Sequence, residues 1–332
     1  MKHPKPKVLI TGVAGFVGSN LADRLVREGY RVVGVDDLSA GILEQVPREV
    51  DFQQADIRSK RMFDLLKGID VVFHLAAKNC VSDCQEHPYE TADVNILGSL
   101  NIFDAARAAG VKRVIYAESS AIYEGTSQLP TPESDFTPQT FYAITKASDH
   151  LFAKAYQRFM GLPMVGLRYL NVYGPRQDYR RAVPPVMSSF IIRLLSNQKP
   201  RIYGDGTKRR DFVHVDDVND FHVLCIQNAD VVNRVFNLGS GTNHSIREIY
   251  DLVSEIVGVR TDPEMLPDVP GEALANLGDI SQARSVGWQP HTNLKDGLVG
   301  MVEYIRREIK AGNISNALLA ADTKALSTSS QT

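Results

Sequence analysis

The chain has 332 residues, enough to bury a full core in one large domain or in two closely packed ones. Lys and Arg number 37 against 39 Asp and Glu, which gives no electrostatic basis for binding nucleic acid or an anionic membrane. No apolar stretch reaches the roughly 20 residues that span a bilayer. The three cysteines form neither a disulfide framework nor a zinc site. We expect a cytoplasmic protein without a bound metal.

The first part of the chain alternates short β-branched runs with longer segments of helical period. KVLIT is followed by GSNLADRLVREG and YRVVGVDD, and further units occur at VVFHLAA and RVIYAES. This alternation predicts an α/β fold with a Rossmann-type, doubly wound parallel sheet. We predict a dinucleotide-binding domain over residues 1–170, with a returning segment at about 209–240.

The pattern changes after Arg168, where loops rich in proline, glycine and arginine separate amphipathic helices. These loops are NVYGPRQDYRRAVPP, QKPRIYGDGTKRRDF and LPDVPGE. Such a break predicts a smaller α/β domain, mainly residues 171–310, that supplies a substrate pocket at the carboxyl ends of the strands. Residues 311–332 end in a polar, Ser/Thr-rich stretch and are predicted to form a flexible tail.

A glycine-rich turn follows the first predicted strand. Gly12, Gly15 and Gly18 are spaced as GxxGxxG, and Phe16 and Val17 lie between the last two. The first glycine permits a tight turn, the second admits a pyrophosphate to the N-terminus of a helix, and the third lets helix and strand pack closely. The turn predicts a dinucleotide site, with a purely structural turn as the alternative.

Acidic residues follow the next two predicted strands. Asp36 ends YRVVGVDD, where its carboxylate can accept both ribose hydroxyls and repel a 2'-phosphate, which favours NAD over NADP. Asp37 is an alternative ribose ligand, and a solvated turn is the alternative for both. Asp56, followed by Ile57, either offers a carboxylate beside an adenine slot or lies in an ordinary loop.

Tyr142 and Lys146 form a YxxxK motif, with Ser119 and Ser120 about two dozen residues upstream. On one helix face, the ammonium can lower the phenol pKa from about 10 towards neutrality and also bind the cofactor ribose. A serine hydroxyl completes a relay to a substrate hydroxyl, and the tyrosinate is the general base. A surface helix pair is the alternative for an isolated motif, but the glycine turn and the serines favour catalysis.

Several segments carry a family resemblance: GVAGFVGS, FHLAA, ESSAIYE, YAITK, LRYLNVYGPRQ, YGDGTKRRDFVHVDDV and FNLGSG. Over roughly residues 7–305 they resemble the NAD-dependent epimerase/dehydratase family of extended short-chain dehydrogenases/reductases. The resemblance implies that a Ser-Tyr-Lys set removes a sugar hydroxyl proton while hydride passes to NAD, giving a transient keto sugar. It makes Tyr142 the base, Lys146 its electrostatic partner and Ser119 the hydroxyl, with Ser120 as the alternative.

The resemblance also implies contacts with the cofactor and with a nucleotide-diphosphate sugar. The additional cofactor contacts are Ala76, Ala77, Lys78 and Asn95. The candidate substrate contacts are Lys78, Ser119, Ser120, Asn171, Arg210 and Glu272. A guanidinium fork matches phosphate oxygens, so Arg210 is the predicted diphosphate ligand, and Arg176 and Arg209 are weaker candidates. A solvated side chain is the alternative for Lys78.

Three positions depart from the family pattern. Val269 stands where related sequences commonly offer an arginine to the diphosphate, which leaves Glu272 as a ribose candidate. Glu118 and Glu124 flank the catalytic serines in place of small residues. They are either additional acid/base groups of the kind that dehydration needs, or a polar rim that reads a sugar substituent; we favour the rim.

Family dehydratases typically carry Asp-Glu directly after the catalytic hydroxyl residue, and Ser120 and Ala121 occupy those places here. We therefore predict a 4-epimerase that acts on UDP-glucose/UDP-galactose or UDP-GlcNAc/UDP-GalNAc. The alternatives are a nucleotide-sugar dehydratase, reductase or decarboxylase, and a non-catalytic NAD-binding scaffold. SLNIFDAARAAG and ASDHLFAKAYQRFMG resemble segments that form a four-helix bundle across a two-fold axis, so we expect a homodimer. Packing of both segments on the sheet is the alternative.

Overall fold

The computed structural model describes residues 5–180, 184–268 and 273–314. The strands are β1 (Lys7–Thr11), β2 (Arg31–Asp36), β3 (Asp51–Gln54), β4 (Val71–His74), β5 (Arg113–Ser119), β6 (Met164–Tyr169), β7 (Asn171–Tyr173), β8 (Arg201–Tyr203), β9 (Arg209–His214), β10 (Arg234–Leu238), β11 (Asn243–Ser245) and β12 (Glu264–Leu266). The helices are α1 (Phe16–Arg27), α2 (Met62–Leu65), α3 (Val81–Glu86), α4 (Pro88–Ala92), α5 (Gly98–Ala109), α6 (Phe141–Met160), α7 (Val186–Leu195), α8 (Val215–Gln227), α9 (Ile246–Val257), α10 (Ser281–Ser285) and α11 (Leu294–Lys310).

The larger sheet has seven parallel strands in the order β10-β6-β5-β4-β1-β2-β3. Its inner strands, such as β1 and β4, are nearly continuous apolar runs because helices cover both faces. Val8 and Ile10 pack in the core that α1 and α8 share, whereas Leu9 packs in the core of α2, α5 and α6. The doubly wound parallel sheet expected from the alternating pattern is confirmed.

The second part of the chain adds two small sheets and a helical cluster. The order β11-β9-β7 forms a three-stranded sheet, and β12 pairs with β8. Apolar residues of α7, α9 and α11 form a separate core. Within the segment 209–240, β9 belongs to the three-stranded sheet, α8 packs against α1, and β10 pairs with β6 in the larger sheet.

The carboxyl ends of the seven parallel strands lie along one edge of the larger sheet, where doubly wound folds bind their ligands. The glycine turn, Asp36, Ala76 and Ser119 follow or end β1, β2, β4 and β5, so these predicted residues lie along this edge. Within the described ranges, no helix combines the length and apolar character needed to cross a bilayer. The cytoplasmic location stays a prediction. Most of the tail expected at 311–332 lies outside the described residues.

Candidate active site

The glycine turn joins β1 to α1 and is closely packed. The Gly12 N–H donates to Val35 O at 2.8 Å, and at a φ of +72° a Cβ there would lie 2.8 Å from the backbone nitrogen of Ala76. A Cβ on Gly18 would lie 2.1 Å from Gly12 O. Both positions require glycine. At Gly15, the residue before α1, a Cβ would meet one backbone atom, Gly12 O, at 3.2 Å.

The N-terminus of α1 fits a pyrophosphate. Gly15 has no side chain to cap the helix, so the N–H groups of the first turn, which contains Phe16, Val17 and Gly18, keep their capacity to donate. The positive end of the helix dipole adds to this attraction for an anion. Thr11, the last residue of β1, fixes the chain where it leaves β4: its Oγ1 accepts hydrogen bonds from the Leu75 and Ala76 N–H groups at 3.2 Å each.

Asp36 is buried at the end of β2. Its Oδ2 accepts from Ala14 N at 3.0 Å and its Oδ1 from Leu38 N at 2.9 Å, so each oxygen keeps a lone pair for a ribose hydroxyl. Burial raises the pKa of this carboxyl, against the two backbone donors, which lower it. Asp37 is exposed and binds the N–H and Oγ of Ser39. The geometry favours Asp36 over Asp37 as the ribose ligand.

Asp56 and Ile57 lie where the chain leaves β3. Arg58 Nε lies 3.0 Å from each Asp56 carboxylate oxygen, and its guanidinium also pairs with Asp93. This side-chain hydrogen bond is the main cause that lowers the pKa of Asp56. The buried Ile57 packs so closely on Gly98 that a Cβ there would lie 2.6 Å from its Cδ1. Asp56 stays ionised in a fixed pair at the predicted adenine slot.

The loop after β4 holds the half-buried Ala76 and Ala77, and Asn95 anchors it to α6. Asn95 is fully buried; its Oδ1 accepts from Lys78 N at 2.8 Å, and its Nδ2 donates to Lys78 O at 2.9 Å and to Thr145 Oγ1 at 3.0 Å. These bonds engage its amide within the protein. The geometry therefore makes Asn95 a residue that orders the loop.

Lys78 is paired at its ammonium group. Its Nζ lies 2.9 Å from Glu90 and 3.3 Å from Asp83. Burial alone would lower the pKa of Lys78, but the two carboxylates outweigh it and the pKa is raised. The alternative for Lys78, a solvated side chain without a partner, is wrong. Any contact of Lys78 with a phosphate or sugar would compete with these two acids.

Tyr142 lies in the first turn of α6, and Glu124 fixes the start of that helix. The Thr140 hydroxyl caps α6 by accepting from Ala143 N at 3.2 Å. The Glu124 carboxylate accepts from Thr140 N at 2.8 Å, from Thr140 Oγ1 at 2.9 Å and from Gln139 N at 3.2 Å. Glu124 was predicted to read a sugar substituent. The structure commits it instead to holding the segment that carries Tyr142.

Lys146 lies one turn after Tyr142 and is buried. Its Nζ donates to Ala117 O at 3.0 Å and to Asp149 Oδ2 at 3.1 Å, which leaves one ammonium N–H for a ligand. Burial alone would lower the pKa of Lys146, but the charges of Asp149 and Tyr142 outweigh it and the pKa is raised. A charged ammonium therefore lies one helical turn after Tyr142, near enough for the charges of the two side chains to interact.

Ser119 ends β5, and Ser120 opens a 3-10 turn that runs to Tyr123. The Ser119 Oγ accepts from Ala121 N at 3.2 Å. This contact uses an acceptor site and leaves the hydroxyl proton to donate. Both serines are half-buried at the edge of the sheet where β5 ends, so both remain candidates, and the ordered hydroxyl of Ser119 favours it.

Glu118 does not form a polar rim, and that prediction is wrong. Its side chain is fully buried, with Oε2 2.6 Å from Arg168 Nε and Oε1 2.9 Å from His150 Nδ1. Burial raises the pKa of Glu118, but His150 and Arg168 outweigh it and the pKa is lowered. The reason is the alternation of a β-strand: Glu118 points to the opposite face from its neighbour Ser119.

Asn171 and Arg210 are brought together by the three-stranded sheet, because Asn171 pairs in register with a residue only two positions after Arg210. Asn171 Nδ2 donates to Asp211 O at 2.9 Å and to Asn276 Oδ1 at 3.2 Å. Arg210 Nη1 donates to the carbonyl of Arg209 at 3.0 Å. The geometry keeps both as neighbouring candidates for a diphosphate.

The two weaker arginine candidates have structural partners. Arg176 pairs with Asp23 of α1, and Arg209 Nε donates to Asn243 Oδ1 at 2.9 Å. The remaining substrate candidate, Glu272, and the departure at Val269 both lie outside the described residues.

Two residues of this region were not singled out in the sequence. Asp211 is fully buried beside Arg210 and accepts from Ser240 N at 2.6 Å and Ser240 Oγ at 2.7 Å, so it fixes the loop after β10. Asp149 contacts Lys146. Its position one helical turn after Lys146 is a signal that the sequence does contain.

Residues 8–239 match the model of the NAD dependent epimerase/dehydratase family. The chain is 36% identical over 312 residues to a UDP-glucose 4-epimerase of Mycolicibacterium smegmatis, covering 91% of this chain and 99% of that protein. The crystal structure of UDP-glucose 4-epimerase from Thermotoga maritima with UDP-glucose is similar at a TM-score of 0.88 and 35% identity, covering 91% of this chain and 99% of that one. A UDP-N-acetylglucosamine 4-epimerase from Methanobrevibacter ruminantium, in complex with UDP-N-acetylmuramic acid, is similar at 0.89 and 31%, covering 92% and 100%.

These likenesses span both the glycine turn with Asp36 and the YxxxK helix, and they confirm the family that the sequence motifs indicate. The chain belongs to the NAD-dependent epimerase/dehydratase family and is an NAD-dependent enzyme of the extended short-chain dehydrogenase/reductase type.

Proposed function

We propose that the protein is a UDP-sugar 4-epimerase that interconverts UDP-glucose with UDP-galactose or UDP-GlcNAc with UDP-GalNAc. One observation carries the proposal: Tyr142 lies one helical turn before the buried Lys146, while both nearby glutamates are committed elsewhere. Glu118 is paired with Arg168, and Glu124 accepts the bonds of the α6 N-terminus. A dehydratase needs a further acid and base beside the tyrosine, and these two carboxylates are not positioned to serve.

The residues divide the work between a base, its electrostatic partner and a hydrogen-bond donor. Tyr142 as a phenolate takes the proton from the sugar 4-hydroxyl, and the Ser119 hydroxyl donates to the same oxygen. Lys146 stabilises the phenolate by its charge. When bound, NAD would supply the hydride acceptor at C4 and, once the keto sugar has turned over, the hydride donor to its opposite face; the glycine turn before α1 and Asp36 would hold it. Tyr142 then gives the proton back, so the reaction has no net redox change.

The nucleotide half of the substrate is proposed to bind between the two parts of the chain. Arg210 supplies a guanidinium for the diphosphate and Asn171 a polar contact next to it. The relatives named above act on, or are bound to, sugars with a hydroxyl or an N-acetyl group at C2. Because the C2 substituent differs among these relatives, the test includes both substrate pairs.

The test is incubation of the purified protein with UDP-glucose, UDP-GlcNAc and their galacto epimers, without added NAD. We expect interconversion of at least one pair at unchanged product mass, because NAD stays bound and the hydride returns. A product lighter by water or carbon dioxide would instead identify a dehydratase or decarboxylase. Absence of turnover on all four, or full turnover by a Tyr142→Phe variant, would contradict the proposal.

We also propose that the enzyme is a homodimer. Apolar side chains of α6 are exposed at helical spacing: Ile144 is 44%, Leu151 58% and Phe159 76% exposed. Leu97, before the adjacent α5, is 57% exposed. Exposed apolar side chains along one helix face are typical of an interface between two copies of a chain related by a two-fold axis. Light scattering at micromolar concentration should give twice the chain mass, and a Leu151→Asp variant should give the monomer mass; a monomeric wild type would contradict the dimer.

A further inference from the structure

The catalytic lysine has a buried acidic neighbour, Asp149, one helical turn further along α6. Asp149 Oδ2 lies 3.1 Å from Lys146 Nζ, and the two side chains are 2% and 4% exposed. The second contact of the ammonium is Ala117 O on β5, at 3.0 Å. In the described part of the chain, Asp149 is the one carboxylate that hydrogen-bonds to Lys146.

Other charged or titratable groups face the pair, but none of them can replace Asp149 as the counter-ion of Lys146. They are Tyr142 on α6, Tyr116 and Glu118 on β5, His74 on β4 and, as a polar neighbour, Ser99 on α5. Glu118 already pairs with Arg168. Burial lowers the pKa of His74 to about 3, so it is neutral. Burial is also the main cause that raises the pKa of Asp149 to about 6, against the charge of Lys146, which lowers it. The contact of 3.1 Å between the two groups has the geometry of an ion pair.

A buried ammonium without a counter-ion tends to lose its proton, because water no longer solvates its charge. We propose that Asp149 is a positioning residue of the 4-epimerase reaction: it is the buried counter-ion that keeps Lys146 charged and held between Ala117 and Tyr142. The inference rests on the proposed function, since it assigns Asp149 through the role of Tyr142 as the base. Asp149 itself acts through Lys146 and is not assigned a contact with substrate.

The first test is the pH profile of an Asp149→Asn variant, which keeps the shape of the side chain and removes its charge. Lys146 then loses its proton at lower pH and no longer stabilises negative charge on the base. We expect the ascending limb of the kcat profile to move to higher pH by about one unit or more, with kcat at neutral pH about tenfold lower. KM for the UDP-sugar should not change. A Ser148→Ala variant is the control, because Ser148 Oγ bonds to its own helix at Ile144 O.

The second test measures the pair without turnover, by a double-mutant cycle of the melting temperature. With Lys146 present, Asp149→Asn leaves a buried ammonium without its partner and should lower Tm. In a Lys146→Met background no ammonium is present, and the same substitution should leave Tm unchanged or raise it. If Asp149→Asn alone does not fold and the double variant does, that outcome supports the proposal as well. Equal losses in both backgrounds, or an unchanged or acid-shifted pH profile, would overturn the proposal. A wild type without epimerase activity would instead refute the proposed function, and the cycle would still report on the pair.

Discussion

Glu118 and Arg168 form an ion pair that is fully buried beneath the strand that carries Ser119. The distance from Arg168 Nε to Glu118 Oε2 is 2.6 Å, and neither side chain exposes surface. His150 adds a contact from α6, and Arg168 Nη1 donates to the Tyr123 hydroxyl at 2.9 Å. The pair therefore joins β5, β6, α6 and the turn after Ser119 at the position next to the proposed catalytic hydroxyl.

Replacing Glu118 with glutamine should destabilise the protein by about 3–5 kcal/mol, because the buried Arg168 charge loses its partner. Urea denaturation at pH 7 measures the change. The control is Lys67→Met in the surface pair Lys67 and Asp64, whose side chains are 73% and 74% exposed. We expect no measurable change there, since water and salt screen exposed charges. Similar losses for both variants would contradict the prediction.

The effect of Glu118 on stability should depend on pH. Burial raises the pKa of Glu118, but His150 and Arg168 outweigh it and hold the pKa below its ordinary value of 4.5. The folded protein then binds this proton more weakly than the unfolded chain. The stabilisation is complete above the ordinary value and is lost as pH falls through the lowered one. The difference in unfolding free energy between wild type and Glu118→Gln should shrink below about pH 4.5; a difference that grows there would show the opposite linkage.

A methyl group at Gly18 should damage the cofactor site, whereas one at Gly300 should not. Alanine at 18 would place Cβ 2.1 Å from Gly12 O, so the turn must open. We expect NAD affinity to fall by about tenfold or more, with a loss of about 1–3 kcal/mol in stability. At Gly300, in the middle of α11, nothing lies within 4 Å of a Cβ. Alanine there should stabilise the helix by about 0.5–1 kcal/mol and leave NAD binding unchanged, as calorimetric titration and urea denaturation can show.

Asp36 and Asp37 should differ in their effect on cofactor choice. Asp36→Ser removes the buried carboxylate that can accept ribose hydroxyls, so NAD affinity should fall by about tenfold and NADP should no longer be repelled. Asp37→Ser is the matched neighbour, exposed and bonded to Ser39. It should leave both affinities unchanged. Competitive binding of NAD and NADP to the two variants measures the difference, and a larger effect at Asp37 would reverse our assignment of the ribose ligand.

The parts of the site that the sequence could predict are those held together by local spacing. The glycine turn and the Tyr142 to Lys146 pair lie within single turns of chain, so their spacing alone indicates their chemistry. Glu118 was misjudged because its partner Arg168 lies 50 residues away. The alternation along β5 was a usable signal, since it separates Glu118 from the face of Ser119.

The same distinction between local and distant signals applies to the fold. The large sheet could be predicted because its strands are apolar runs separated by helical segments. The two small sheets include strands of three residues, such as β7 and β8, which are too short to show a period. Their positions depend on side chains distant in the chain, such as the bond from Asn171 to Asn276.

The place of β10 in the large sheet sets a condition on synthesis of the chain. β6 pairs on one side with β5 and on the other with β10, which ends at Leu238. Until that residue has been synthesised, β6 presents an open row of N–H and C=O groups to solvent. Such an edge can recruit a strand from a neighbouring nascent chain. Polysomes that crowd these chains would therefore be the place where misassembly of this enzyme begins, and a circular permutant that starts with β10 would emerge with that edge already covered.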